Sequence, residues 1–194
     1  GYSRDVLFSN GNTGANTPTL TFTLQKGQSY IIEGNGMFAQ NQNGIIGAKI
    51  ISDKPVAVTN GNFNGQYATD TNSSDILMDQ SVPTEHLGKT FAVVKGNGTI
   101  GSNMETPIIV ATVDGTQVFV NDEVTPIATL NEGEFFLIPE NKYIPHANGH
   151  HNLYISTTQN VYVYQLLSGS TASSLSAATG GFNFIPALSC YLPK

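Results

Sequence analysis

Residues 108–120 read IIVATVDGTQVFV, and this stretch decides the fold class. Two short runs rich in Val, Ile, Thr and Phe lie on either side of Asp114-Gly115, and these residue types favour β-strands. Asp-Gly is a preferred turn between antiparallel strands, because the turn needs positive φ angles that Gly adopts without strain. The stretch therefore predicts a β-hairpin.

The same pattern of short β-rich runs and glycine turns continues in both directions. Residues 19–24, TLTFTL, alternate polar and apolar side chains, so we expect Leu20, Phe22 and Leu24 to face a core. Turns are predicted at the glycines of the following pairs: Lys26-Gly27, Asn60-Gly61, Asn64-Gly65, Asn97-Gly98, Glu132-Gly133 and Asn148-Gly149. Further strands are predicted at residues 30–32, 45–51, 56–58, 91–94, 127–130, 135–138, 153–155 and 161–167.

Helical periodicity is nearly absent, and one helical turn is predicted, with Thr84 as its cap and Gly88 as its end. A crossover β-α-β architecture would need helices that the sequence lacks. The expected fold is therefore all-β, an antiparallel β-sandwich.

An internal similarity divides the chain. Residues 24–31, LQKGQSYI, match residues 130–137, LNEGEFFL, at a spacing of about 105 residues. We expect two similar β units in tandem: residues 1–89, truncated at their N-terminal side, and residues 90–194, which end with the start of a following segment. The chain is then a fragment of a longer surface protein.

Composition excludes several partners. Charged residues make up 11% of the chain, against about a quarter in typical domains, and the net charge is −6. No run of Lys or Arg could neutralise a phosphate backbone, so nucleic acid is not an expected partner. No apolar run is long enough for membrane insertion. Cys190 is the single cysteine, so no disulfide forms within the chain.

Five short motifs occur in an order that resembles a known family. They are ISDKPVAV at residues 51–58, DQSVP at 79–83 with LGKTF at 87–91, VATVDGTQV at 110–118, LNEGEF at 130–135 and PALSC at 186–190. In this order they resemble the IgGFc-binding protein N-terminal domain family, which occurs in a mucus-associated animal protein and in large bacterial secreted and surface proteins. The composition, rich in Asn and Thr and poor in Lys and Arg, is closer to the bacterial, adhesin-like members.

The resemblance implies an extracellular or cell-surface location and carries no catalytic residues over to this chain. Binding to immunoglobulin Fc is attached to the animal protein that named the family, and the motifs do not transfer it to this chain.

Two groups of residues could hold a metal. His146, His150 and His151 lie in a predicted hairpin loop, which favours solvated histidines over a zinc or copper site. Carboxylates could hold calcium, but they are also common in turns, and the turn role is the preferred interpretation. The carboxylate candidates, with one amide, are Asp70, Asp75, Asp79, Asp114, Asn121, Asp122 and Glu123. No metal site and no cofactor is therefore predicted, with calcium as the alternative.

Catalytic chemistry has little support. No nucleophile-elbow motif is present, and no pattern pairs the candidate acids Glu33, Glu105, Glu134 and Glu140 across a cleft. Exposed aromatic residues could stack on sugars, and Tyr162 and Tyr164 share one face of their strand. Tyr67, Phe63 and Tyr143 fall in predicted loops. The preferred interpretation of the tyrosines is packing between sheets, with each hydroxyl reaching solvent or a carbonyl.

The expected function is a non-catalytic adhesion module that binds glycans or surface proteins through loops and sheet faces. The alternative is a structural bead of a stalk or filament, whose partners are copies of itself. A carbohydrate-active enzyme domain is a third, disfavoured hypothesis. The sequence assigns no binding residues.

Overall fold

The computed structural model describes residues 6–36, 41, 43–65, 74–96, 101, 104–168 and 179–188. The chain divides into two compact units, Gly1–Ser52 and Asp53–Lys194. In the described residues, all the named strands lie in the second unit, and two short 3₁₀ turns cover Thr84–His86 and Glu140–Lys142. The strands are β1 (Val58–Gly65), β2 (Asp75–Ser81), β3 (Gly88–Lys95), β4 (Glu105–Ala111), β5 (Thr116–Val120), β6 (Ala128–Leu130), β7 (Phe135–Leu137), β8 (Ile144–Pro145), β9 (His151–Leu167) and β10 (Gly181–Phe184).

Every strand pairing is antiparallel, and the all-β, sandwich-like fold is confirmed. β1 and β2 form a two-stranded sheet, and the remaining strands form a curled, barrel-like sheet. Residues 108–120 form β4, a turn at Asp114-Gly115 and β5, with Gly115 at φ 70°. The predicted hairpin is wrong, because the two strands do not pair with each other. Both pair with β9 instead, β4 with its residues 161–167 and β5 with its residues 155–157.

The long strand β9 organises the second unit. Ile155 pairs with Phe91 of β3 and with Val120 of β5, so β9 has partners on both of its edges. Further along, Val161 pairs with Ala111 of β4 and with Gly88 of β3. The predicted strands at 153–155 and 161–167 are therefore two halves of one strand.

The core of the second unit follows the alternation of these strands. Side chains at every second position point inward, because successive side chains in a strand point to opposite faces. The buried cluster contains Phe91, Val93, Ile109, Ala111, Val118, Val120, Leu130, Ile138, Tyr143, Leu153, Ile155, Val161, Val163 and Ala187. Fourteen buried apolar side chains on five strands and their connections give this unit its stability.

The first unit differs from the prediction. Val6 and Phe8 are buried, and the amide of Asn41 bonds both the N–H and the carbonyl of Leu7, at 2.8 and 2.6 Å. Residues 19–33 belong to no strand, although Phe8 bridges to Gly34 just beyond them. The expectation that Phe22 and Leu24 face a core is wrong, since both are exposed, whereas Leu20 is half-buried. An alternating pattern specifies a strand only where a neighbouring strand supplies hydrogen bonds.

Local predictions had mixed outcomes. The predicted turns at Asn60-Gly61 and Asn64-Gly65 are wrong, because both pairs lie inside β1. At Gly61, with φ 144°, a Cβ would come within 1.9 Å of the Leu77 carbonyl oxygen on β2, so the close approach of two backbones explains this glycine. The helical turn at Thr84 is confirmed, but Pro83 precedes it and no side chain caps it. The Asn97-Gly98 turn lies outside the described residues.

The predicted division into residues 1–89 and 90–194 stays a prediction.

Candidate binding surfaces

The tyrosine face of β9 is a packed layer. Tyr164 is buried and its ring stacks on Phe182 of β10 with ring centroids 4.3 Å apart. Phe184 meets Tyr164 edge-on at 5.5 Å. Tyr162 is half-buried and lies 6.5 Å from Phe184, also edge-on. These four rings pack together on the face that the alternation of Val and Tyr creates.

The hydroxyls of both tyrosines reach across to the β1–β2 sheet and the residue that follows it. Tyr162 donates a hydrogen bond of 2.7 Å to the carbonyl oxygen of Val82. The Tyr164 hydroxyl lies 3.3 Å from the hydroxyl of Ser81, which donates to Asn60 on β1 at 2.7 Å. Asp79 accepts the N–H of Phe184 at 2.5 Å, so β2 and β10 are also joined. The geometry favours packing of the β1–β2 sheet against β9 and β10.

Burial shifts the titration of both tyrosines. It raises the pKa of Tyr162 above the usual 10.0, and the negative charges that Tyr164 and Glu85 would carry raise it further. Burial also raises the pKa of Tyr164, with Asp79 acting in the same direction, while hydrogen bonds with Ser81 and Asn60 oppose the change. Both phenols are therefore neutral at physiological pH and available as hydrogen-bond partners.

An exposed apolar strip occurs on the first unit and consists of Phe22, Leu24, Tyr30, Ile31 and Ile32. Phe22 and Tyr30 stack with ring centroids 4.1 Å apart, although they are 44% and 51% exposed. Ile31 is 80% exposed. Contiguous exposed apolar surface is typical of interaction sites in soluble domains.

A shallow groove borders this apolar strip. Its wall includes Phe8, Ser9, Asn10 and Glu33 together with Tyr30 and Ile31. The groove combines aromatic and aliphatic surface with a few polar groups. Sequence reasoning missed this surface, because the alternation that makes Phe22 conspicuous also predicts that it is buried.

The other aromatic candidates differ in how deeply they are buried. Tyr143 is part of the core of the second unit, whereas Phe63 on β1 is exposed. Tyr67 lies outside the described residues.

A buried charged cluster occupies one end of the core of the second unit. The Nζ atom of Lys95 lies 2.6 Å from Oε1 of Glu140, with both side chains almost fully buried. Glu105 is also buried, and its Oε2 accepts the N–H of Gly96 at 3.1 Å and the side-chain N–H of Gln165 at 2.8 Å. Glu140 therefore contacts Lys95, and Glu105 contacts the next residue, Gly96.

The remaining acid candidates do not join this cluster. Glu33 borders the groove of the first unit, while Glu134 accepts the backbone N–H of Asn131 in a local turn.

The histidine candidates lie in the β8–β9 hairpin. The N–H of His146 bonds the carbonyl of His150 at 2.9 Å, and Nε2 of His146 lies 2.8 Å from Oδ1 of Asn152. His151 opens β9 opposite Pro145. In the described ranges, no group of three His, Cys, Asp or Glu side chains is arranged to hold a metal ion.

The acidic candidates have local partners. Asp75 accepts its neighbour's N–H, Asp114 accepts that of Glu132, and Glu123 pairs with Lys142 at 2.5 Å. Asn121, at φ 51°, bonds the N–H of Tyr154 and the carbonyl of Lys142. Asp122 is exposed, and Asp70 and Cys190 lie outside the described residues. Calcium binding stays a prediction to be tested.

None of the helical segments in the described part of the chain has the length and apolar character of a membrane span.

Comparison with known proteins gives one match. The model of the family described as IgGFc binding protein matches residues 2–194. No curated protein and no solved structure matches the chain. The match covers nearly the whole chain and includes all five motifs. The chain therefore belongs to the IgGFc-binding protein family, a non-enzymatic family of extracellular binding proteins.

Proposed function

We propose that this chain is an adhesion module of a large secreted or cell-surface protein of the bacterial, adhesin-like type, and that it binds other surface proteins. The exposed apolar strip of Phe22, Leu24, Tyr30, Ile31 and Ile32 is the observation that carries the proposal. Aromatic and aliphatic side chains are enriched at the centres of protein interfaces, where they exclude water.

The strip favours a protein ligand over a glycan. Phe22 and Tyr30 stack on each other, so one face of each ring is already covered and less ring surface is left for a sugar. Three of the five side chains are aliphatic, and these match apolar protein surface better than hydroxyl-rich sugars. Glycans remain the second ligand class to test.

The charge pattern suits weak contacts repeated many times. With 8 Lys and Arg and 14 Asp and Glu in 194 residues, the surface offers little electrostatic steering. Several copies acting together raise the effective concentration and supply the strength that one contact lacks.

The test is binding by a multivalent display of the chain. Beads carrying many copies are probed with immunoglobulin Fc, with mucin-type glycoproteins before and after deglycosylation, and with a glycan array. The variant Ile31→Ser should lower the apparent affinity roughly tenfold or more, because the most exposed apolar side chain of the strip is lost. Val124→Ser is the matched control, since Val124 is 92% exposed and lies outside the apolar strip.

Three results would contradict the proposal. The first is that Ile31→Ser binds as tightly as the wild type. The second is that Val124→Ser weakens binding as much as Ile31→Ser does. The third is that the chain binds glycans and no protein. Loss of binding in Ile31→Ser with the control unchanged would support it.

A structural bead that contacts neighbouring copies is the second candidate. One observation favours it: residues 19–32 carry a strand-like sequence yet belong to no strand in the described structure. Such a segment could pair with a strand of another copy. Sedimentation velocity over a wide concentration range, with calcium and then with EDTA, distinguishes the two candidates. Growing oligomers favour the bead, and their loss in EDTA would place calcium at the joints. A monomer at all concentrations excludes self-assembly of this chain.

A further inference from the structure

The buried lysine of the second unit lies where the strand pattern calls for an apolar residue. Phe91, Val93 and Lys95 occupy alternate positions of β3 and are all buried, with Lys95 only 1% exposed. Its Nζ atom lies 2.6 Å from Oε1 of Glu140, and the two side chains are 0% and 4% exposed.

A second acid faces the same core. Glu105 alternates with Ile109 and Ala111 on the inward side of β4 and is buried. Its Oε2 accepts the N–H of Gly96, the residue that follows Lys95. The side-chain N–H of Gln165 also donates to this oxygen and to the carbonyl of Val94, so Glu105 is anchored beside the end of β3.

Burial sets this pair apart from an ordinary ion pair. Lys142 and Glu123 also meet, at 2.5 Å, but their side chains are 31% and 39% exposed and water solvates both charges. Lys95 and Glu140 have lost that solvation, and removing two charges from water carries a large penalty. The N–H of Gly101 donates a hydrogen bond to Oε2 of Glu140 and replaces part of the lost hydration. An amide bond between them would remove both charges, with the loss of one water.

We propose that Lys95 and Glu140 condense to form an amide crosslink between β3 and the turn that follows β7. The fold holds the amine and the carboxyl in contact and out of water. Such fixed proximity makes bond formation far faster than between free molecules.

The reaction balances without an oxidant, a reductant or another reactant. Proton transfer within the pair produces a neutral amine and a carboxylic acid. The nitrogen lone pair then attacks Cδ of Glu140 and the Nζ–Cδ bond forms. One carboxyl oxygen leaves as water, carrying the acid proton and one proton from Nζ. Glu105 is assigned as the group that accepts the proton from Nζ and returns it to the leaving oxygen, because it is buried and its Oε2 accepts the N–H of Gly96, the residue next to Lys95.

The mass of the intact chain is the first test. Purified, folded protein should be lighter than its sequence by one water, about 18 Da. Protease digestion should yield a branched peptide that joins the segments containing Lys95 and Glu140. The exposed Lys142–Glu123 pair is the internal control and should yield no branched peptide. A wild-type chain at its full sequence mass overturns the proposal.

Two variants test the assigned roles. Lys95→Arg keeps the positive charge but lacks the reactive amine, so it should have the full sequence mass. Glu105→Gln keeps an oxygen for the N–H of Gly96 but cannot accept the proton, so its crosslinked fraction should fall at least several-fold when circular dichroism shows it folded. An unchanged fraction in Glu105→Gln overturns the role of Glu105, and a water loss that persists in Lys95→Arg overturns the crosslink itself.

Discussion

The hydroxyl of Tyr162 donates a hydrogen bond of 2.7 Å to the carbonyl oxygen of Val82, 80 residues earlier in the chain. This bond ties β9 to the segment that connects β2 with the Thr84–His86 turn. Together with the contact between Ser81 and Tyr164, it fixes the β1–β2 sheet against the tyrosine face. The tyrosines therefore serve the fold of the second unit.

Replacing Tyr162 with Phe should destabilise the protein by about 1 kcal/mol, because the ring stays and the Val82 carbonyl loses its partner. Urea unfolding measures the change. Tyr154→Phe on the same strand is the control, since Tyr154 is exposed, and it should change stability by less than about 0.5 kcal/mol. Equal effects of the two substitutions would show that the Tyr162 hydroxyl has no special role.

Alkaline pH should destabilise the protein through the two tyrosines. Because their pKa values are raised in the folded state, the unfolded chain loses these protons first. The stability that they contribute is complete below pH 10.0 and is lost as the pH rises through the folded pKa values. Unfolding measured from pH 8 to 12, roughly the range that spans phenol ionisation, should show this fall.

The variant Tyr164→Phe separates this effect from general alkaline denaturation. Phe cannot ionise, so the fall in stability above pH 10.0 should become shallower. If the stability of Tyr164→Phe falls as steeply with rising pH as that of the wild type, Tyr164 is not the cause of the fall.

Gly61→Ala should destabilise the β1–β2 sheet by roughly 2 kcal/mol or more, because φ is 144° and the new Cβ would overlap the Leu77 carbonyl oxygen. Thermal unfolding measures the loss. Gly96→Ala is the control, since no atom lies within 4 Å of the position where its Cβ would lie. A Gly61→Ala protein as stable as the control would mean that β1 and β2 are further apart than the structure has them.

Ile155→Ala should cost about 2–5 kcal/mol, because it opens a cavity where β9 meets β3 and β5. Val124→Ala should stay within about 0.5 kcal/mol, since Val124 is almost fully exposed. Chemical denaturation of both variants provides the comparison. A small effect of Ile155→Ala would indicate that β9 is not the centre of the core.

Whether a predicted strand formed depended on whether a neighbouring strand paired with it. Residues 91–94, 117–120 and 135–138 were predicted as strands and lie almost entirely in β3, β5 and β7, where neighbouring strands complete their hydrogen bonds. Residues 19–24 have the cleanest alternation in the chain and form no strand. The local sequence pattern indicates which face of a segment could be buried. A strand also needs a neighbouring strand to complete its hydrogen bonds, and the pattern does not identify that neighbour.

The candidate sites were harder to predict. Tyr162 and Tyr164 were singled out correctly as sharing a face, and the preferred packing role agrees with their contacts. Lys95 was not singled out, although a lysine in step with Phe91 and Val93 was a readable signal of a buried charge. Its partner Glu140 lies 45 positions further along, and a single sequence does not reveal pairings at such distances.

By itself, the sequence determined the all-β class, the glycine turns at Asp114-Gly115 and Glu132-Gly133, and the weakly charged surface. These follow from local backbone preferences and composition, which act over a few residues. Only the tertiary structure decided that β9 would be the shared central strand, that Phe22 would be exposed and that Lys95 would meet Glu140. The reason is that burial and pairing depend on which distant segments come together, and that choice minimises the free energy of the whole chain rather than of any one segment.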